Sequence, residues 1–170
     1  MVGFDMGGPV NKVAYTFAQT QVDTLPYLMG GVGASGAVAG IGIALSSILC
    51  KKKFSEEERN SAKAAGLMGC MGIAEGLIPF AATDPLAIIP ACTAGSATAC
   101  ALGFAFGCLN HAPWGGLIVL PVVEGRIQYV IAIAAGALVF TLVVKLLKKD
   151  YQGYEEVQDI EDIELNFEDF

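Results

Sequence analysis

The sequence predicts an all-α membrane protein, with polytopic transmembrane helices and two re-entrant hairpins that build a binding site. Three observations carry that fold class. Of 170 residues, 54% are hydrophobic and only 16% are charged, with a mean hydropathy of +0.57, whereas a soluble domain carries about 25% charged residues. Three stretches, residues 26–50, 86–109 and 127–144, hold no charge and are close to or above the roughly 20 residues a membrane crossing needs. Lysine clusters stand at the ends of two of them, Lys51–Lys53 and Lys145, Lys148 and Lys149, and such clusters mark the cytoplasmic side of a span.

The chain divides into a membrane part, residues 1–149, and an acidic tail, residues 150–170. The tail holds nine of the 17 acids and no base, so the net charge of −7 belongs to it. It is expected to be solvated and cytoplasmic. Nothing resembling a secretory leader follows Met1, and the bases form short juxtamembrane clusters with no nucleic-acid patch. Five cysteines (Cys50, Cys70, Cys92, Cys100, Cys108) form no CxxC pair. They read as small hydrophobes, with no metal site and no cofactor implied.

Gly7-Gly8-Pro9 marks a turn, and Asn11 and Lys12 follow it into a partly apolar helix. A helix start there aims backbone N–H groups and Lys12 at an anionic or hydroxyl-rich ligand. The alternative is that Lys12 anchors the helix at the headgroups. In 26–50, small residues recur, including Gly36-xxx-Gly40, which lets a second helix approach closely in lipid. Ser55 ahead of Glu56-Glu57-Glu58 predicts a short capped helix to Lys63.

The central stretch is Gly69 to Pro85, which places Glu75 within an apolar, glycine-rich run. A charge at bilayer depth costs roughly 2.5–3.5 kcal/mol on insertion scales, so intramembrane ionisable residues tend to be functional. Gly69, Gly72, Gly76, Pro79 and Pro85 oppose a straight helix, and irregular backbone at that depth must line protein or a polar cavity. The other possibility is a Glu on a short surface loop. If both lysine clusters are cytoplasmic, an even number of crossings separates them. Residues 86–109 and 127–144 supply two, which leaves about 64–84 and about 112–123 as re-entrant hairpins of the kind that form transporter sites. His111, ahead of Ala112-Pro113-Trp114-Gly115-Gly116, is a proton donor or acceptor, or an interfacial residue beside Trp114. Glu124 and Arg126 are expected to pair or to face water.

Two runs are more specific than composition. Phe4-Asp5-Met6-Gly7-Gly8-Pro9-Val10-Asn11-Lys12 and Gly72-Ile73-Ala74-Glu75-Gly76-Leu77-Ile78-Pro79-Phe80, with Ala81-Ala82-Thr83-Asp84-Pro85 after it, resemble the membrane (enzyme IIC) component of the fructose family. This is a branch of the bacterial phosphoenolpyruvate-dependent sugar phosphotransferase system. The resemblance covers residues 3 to about 149 and matches the C-terminal, sugar-binding half of such components. It implies that Glu75 contacts sugar hydroxyls and acts in catalysis, and that Asn11, Lys12, Pro79, His111 and Trp114 lie at the substrate. Implied partners are a fructose-like hexose or hexitol, a IIB phosphocarrier whose phosphocysteine donates the phosphoryl group, an N-terminal IIC half or a second copy, and the bilayer of the inner membrane. Protein-N(pi)-phosphohistidine–sugar phosphotransferase activity is implied only for that assembly. The family's second hairpin reads Ala-Pro-His-Gly-Gly, whereas here Trp114 takes the His position and His111 lies three residues upstream. An alternative function is a truncated, non-catalytic subunit that scaffolds or regulates an intact transporter.

Overall fold

The computed structural model describes residues 1–149; the expectations for the acidic tail fall outside the described residues. Six helices account for most of it: α1 (Pro9–Thr20), α2 (Pro26–Leu49), α3 (Glu56–Cys70), α4 (Ile78–Thr83), α5 (Pro85–Ala105) and α6 (Arg126–Leu147). Helices α2, α5 and α6 are long and apolar enough to cross a membrane.

The hub is α2, which packs against α3, α5 and α6. Its small residues explain why. A Cβ on Gly42 would lie 2.6 Å from the Phe140 ring of α6, and one on Gly40 would lie 2.7 Å from Gly69 of α3. Hydroxyls tie the same interfaces: Ser46 Oγ meets Thr141 Oγ1 at 3.2 Å, and Ser96 Oγ donates to the Ser35 carbonyl at 3.2 Å. On the outer faces Leu86, Ile127, Leu138 and Leu142 stay exposed, as suits helices whose surroundings are lipid.

Helix α3 begins at the expected cap. Ser55 Oγ accepts from the Glu58 amide at 3.2 Å, and Glu58 Oε2 accepts from the Ser55 amide at 2.9 Å, a complete capping box. The helix does not stop near Lys63, however. It continues through Gly66 and Gly69 to Cys70, because those glycines lie against Ala44 and Gly40 of α2, and tertiary packing outweighs their low propensity. It ends where Gly72 takes a left-handed φ of +78°. There Gly72 N–H donates to Gly69 O and Ile73 N–H to Met68 O, both at 2.9 Å, which is a Schellman stop. A single 3-10 turn from Glu75 to Leu77 leads into the short α4. Asp84 then caps α5, accepting from the Ala87 amide at 3.2 Å, with Pro85 in the first turn.

Helix α5, by contrast, ends earlier than the apolar stretch does. Gly107 (φ +63°) closes a second Schellman stop, with Gly107 N–H to Phe104 O and Cys108 N–H to Gly103 O, both at 3.0 Å. Beyond it two residues pair as strands: β1 (Leu109–Asn110) runs antiparallel to β2 (Val123–Glu124). Charge and periodicity carried no sign of this two-residue ladder. It closes a loop over 111–122, which includes a 3-10 segment, Leu117–Val122, into a compact excursion beside α2.

Candidate functional site

The two sequence runs meet in space. They line one cavity of about 400 Å³ between α1, the segment after α3, and Trp114, a size usual for small-molecule sites. Asn11, Lys12, Glu75 and Trp114 all face it. Pro79 sits exposed in the first turn of α4, outside the lining. His111 is also outside: its Nε2 lies 3.1 Å from Glu124 Oε1 across the mouth of the two-stranded ladder. Glu124 therefore pairs with His111, and not with Arg126, whose Nη2 donates to the Pro121 carbonyl at 2.9 Å.

Each lining group is placed by identifiable local structure. Pro9 opens α1, as its fixed φ favours. The free amides of that first turn do not point at a ligand. Asp5 reaches forward and accepts from Val10 N–H at 2.6 Å and Asn11 N–H at 2.8 Å. The expected anion site at this helix start is thus filled by the chain's own carboxylate. Asn11 Nδ2 donates to the Val2 carbonyl at 2.7 Å, fastening the N-terminal loop under the cavity while the residue lines it.

Glu75 follows the Gly72 stop and lies against Gly7, which has φ +102°. A Cβ on Gly7 would lie 2.7 Å from Glu75 Oε1, so only glycine satisfies both the backbone angle and the approach. Glu75 is exposed to the cavity, and among the described residues no hydrogen bond or ion pair engages it. Its carboxylate is therefore an acceptor available to a ligand.

Trp114 joins the two irregular segments. Its Nε1–H donates to the Met71 carbonyl at 2.7 Å, and its ring meets Tyr15 edge-on at 6.2 Å between centroids. Gln19 Nε2 donates to the Pro113 carbonyl at 2.8 Å, and Gly116 N–H to the Gly33 carbonyl at 3.1 Å. From within, the fully buried Asn110 holds the tip, donating to Trp114 O at 2.6 Å and accepting from Ala112 N–H at 2.9 Å.

Three polar lining residues escaped the sequence reading: Tyr15, Thr16 and Gln19. With Asn11 and Lys12 they recur at helical spacing and form one face of α1, a periodicity that could have revealed them. The Tyr15 hydroxyl is buried against the Gly115 backbone, with no hydrogen bond of full geometry among the described residues. Burial pushes its pKa up to about 12, so it remains a neutral donor. Among the described residues no group of three or more His, Cys, Asp or Glu could hold a metal ion.

A carboxylate acceptor, an ammonium, a phenol, two amides and an indole around one cavity suit a small ligand rich in hydroxyls. Fold and site together define a helical integral-membrane protein with a polar small-molecule cavity built from broken segments.

Comparison with known proteins finds homologues. The chain is 44% identical over 173 aligned positions to "Fructose-like permease IIC component 2" of Escherichia coli (strain K12), a match covering 99% of the chain and 48% of that relative. It is 41% identical to the "PTS system fructose-specific EIIB'BC component" of Rhodobacter capsulatus, over 93% of the chain and 28% of the relative. It is 36% identical to the "PTS system fructose-specific EIIC component" of Haloferax volcanii, over 95% and 44%. The chain is a homologue of the fructose-type IIC membrane components of the phosphotransferase system and matches their C-terminal part. It spans about half the length of the first of these relatives. No family model and no solved structure matches it.

Proposed function

We propose that this chain is the sugar-binding and translocating half of a fructose-type phosphotransferase-system permease. The observation that carries the reading is the meeting of the two family-like runs, Gly7–Lys12 and Gly72–Glu75, on one cavity with an unengaged carboxylate. A sugar offers hydroxyl donors to Glu75 and acceptors to Lys12 and Thr16, and Trp114 supplies an apolar surface for the ring. Hydrogen bonds to a charged group contribute about 1.5–3 kcal/mol each. Glu75 orients the hydroxyl that is phosphorylated and accepts its proton in the transition state.

The phosphoryl donor is a phosphocysteine on a IIB protein. The name of the Rhodobacter relative, EIIB'BC, supports a IIB partner close to the membrane part. Partners that complete the assembly are an N-terminal IIC half or a second copy. In this arrangement residues 64–84 and 112–123 are re-entrant, the lysine clusters face the cytoplasm, and the tail lies on that side of the inner membrane.

The test is phosphoenolpyruvate-dependent sugar phosphorylation by membranes holding this chain, with IIB, in the presence and absence of an N-terminal IIC half. Fructose phosphorylation that needs both the chain and IIB is the expected result. Sugar phosphorylation that is the same without this chain overturns the reading.

A further inference from the structure

Away from the sugar cavity, a cleft of about 490 Å³ opens where α2 ends and the last turns of α6 pass it. Its floor is aliphatic, with Ile48 and Leu49 60% and 61% exposed. Its rim is cationic, made of Lys51, Lys52 and Lys53 on the turn after α2 and of Lys145 on α6. Among the described residues no carboxylate lines it.

The neighbouring charges are already committed. Glu58 Oε1 accepts from Lys148 Nζ at 3.2 Å, and its other oxygen closes the capping box. Lys148 also sits 4.7 Å over the Phe54 ring, and Lys53 donates to the Lys148 carbonyl. These contacts pin the end of α6 to the start of α3. Lys51, Lys52 and Lys145 are left exposed, and none makes an ion pair or hydrogen bond among the described residues.

Ammonium groups contributed by the turn after α2 and by α6, with no carboxylate lining the cleft among the described residues, form a positive site at the end of two spans. A neutral lipid answers only the aliphatic floor, and free phosphate answers only the rim. A molecule with a phosphodiester head and an acyl chain answers both. We propose that this cleft binds one anionic phospholipid, its phosphodiester between Lys51, Lys52 and Lys145 and its acyl chain along Ile48 and Leu49.

The test is native mass spectrometry of the purified full chain in neutral detergent, titrated with dioleoylphosphatidylglycerol, dioleoylphosphatidylcholine or inorganic phosphate. One phosphatidylglycerol should be retained at a concentration at least tenfold below that needed for phosphatidylcholine. Millimolar inorganic phosphate should not displace it. The triple variant Lys51→Gln, Lys52→Gln, Lys145→Gln should bring the preference below threefold, whereas Arg59→Gln with Lys63→Gln, off the cleft, should keep it. If the triple variant fails to fold, Lys145→Glu alone should lower retention at least threefold. Equal retention of the two lipids, or lysine variants that bind as the parent does, overturns the proposal. Full displacement by phosphate overturns it too, since the site then takes an anion alone. Retention only after removal of residues 150–170 also overturns it, since the lysines then belong to the acidic tail.

Discussion

At the scale of the residue, the site depends on Glu75, Tyr15 and Trp114, and each makes a different prediction. Glu75→Gln keeps the shape but removes the charge, so sugar binding in the assembled transporter should weaken tenfold or more, about 1.4 kcal/mol. Equilibrium binding of radiolabelled fructose to membranes measures it. A larger loss in phosphorylation than in binding would mark a proton-accepting role, while parent-level binding and turnover in Glu75→Ala would remove Glu75 from the site. Tyr15→Phe deletes only a buried hydroxyl that makes no hydrogen bond of full geometry within the described residues. The folded protein should therefore be no less stable in thermal unfolding, and sugar binding should stay within a few-fold of the parent, because the hydroxyl does not open to the cavity. Trp114 stands where the family carries His. Here its indole N–H already holds Met71 and its ring packs on Tyr15. Trp114→His should thus fail to raise phosphorylation and should lower it, because a smaller ring cannot keep both contacts; a gain in rate would show that the tip still waits for the family His.

At the scale of the element, the positions that matter are stops and caps. Gly72 ends α3 with φ +78°, and a Cβ there would lie 2.6 Å from the Gly115 carbonyl. Gly72→Ala therefore carries the left-handed penalty of roughly 1–2 kcal/mol and pushes the two irregular segments apart. Thermal unfolding in detergent should show a clearly lower midpoint than the parent, and sugar binding should fall with it. Ser55→Ala removes one half of the capping box, a loss of about 1 kcal/mol, but Ser55 lies far along α3 from the cavity. It should lower the unfolding midpoint while leaving the affinity for sugar unchanged. The contrast separates a stop that shapes the site from a cap that only holds a helix.

At the scale of the whole molecule, the open matter is how the broken segments sit in the membrane. If both lysine clusters are cytoplasmic, single cysteines at Ser55 and Gln158, in a background without the five native cysteines, should both resist an impermeant external thiol reagent in intact cells. Labelling of one and not the other would turn a hairpin into a full crossing. The broad exposed aliphatic face of α6, with Ile127, Ile131, Leu138, Leu142 and Leu146, fits an assembly whose remaining surface is met by lipid, an N-terminal half or a second copy.

Composition and periodicity alone determined the membrane class, since a low charge content and long uncharged stretches leave no soluble alternative. Local chemistry likewise determined the Ser55 capping box, the Pro9 helix start and the break at Gly72, each a matter of a few neighbouring residues. Of the residues that the motif resemblance singled out, Asn11, Lys12, Glu75 and Trp114 share a cavity, while Pro79 and His111 lie outside its lining. Only the tertiary structure decided the rest. It ran α3 on to Cys70 because α2 offers glycines to pack against, and it spent Asp5 on the amides that α1 would otherwise offer a ligand. It drew His111 to Glu124 through a two-residue ladder, and it turned Tyr15, Thr16 and Gln19 inward. These outcomes depend on contacts between residues tens of positions apart, where packing and pairing outweigh the local preferences that a sequence displays.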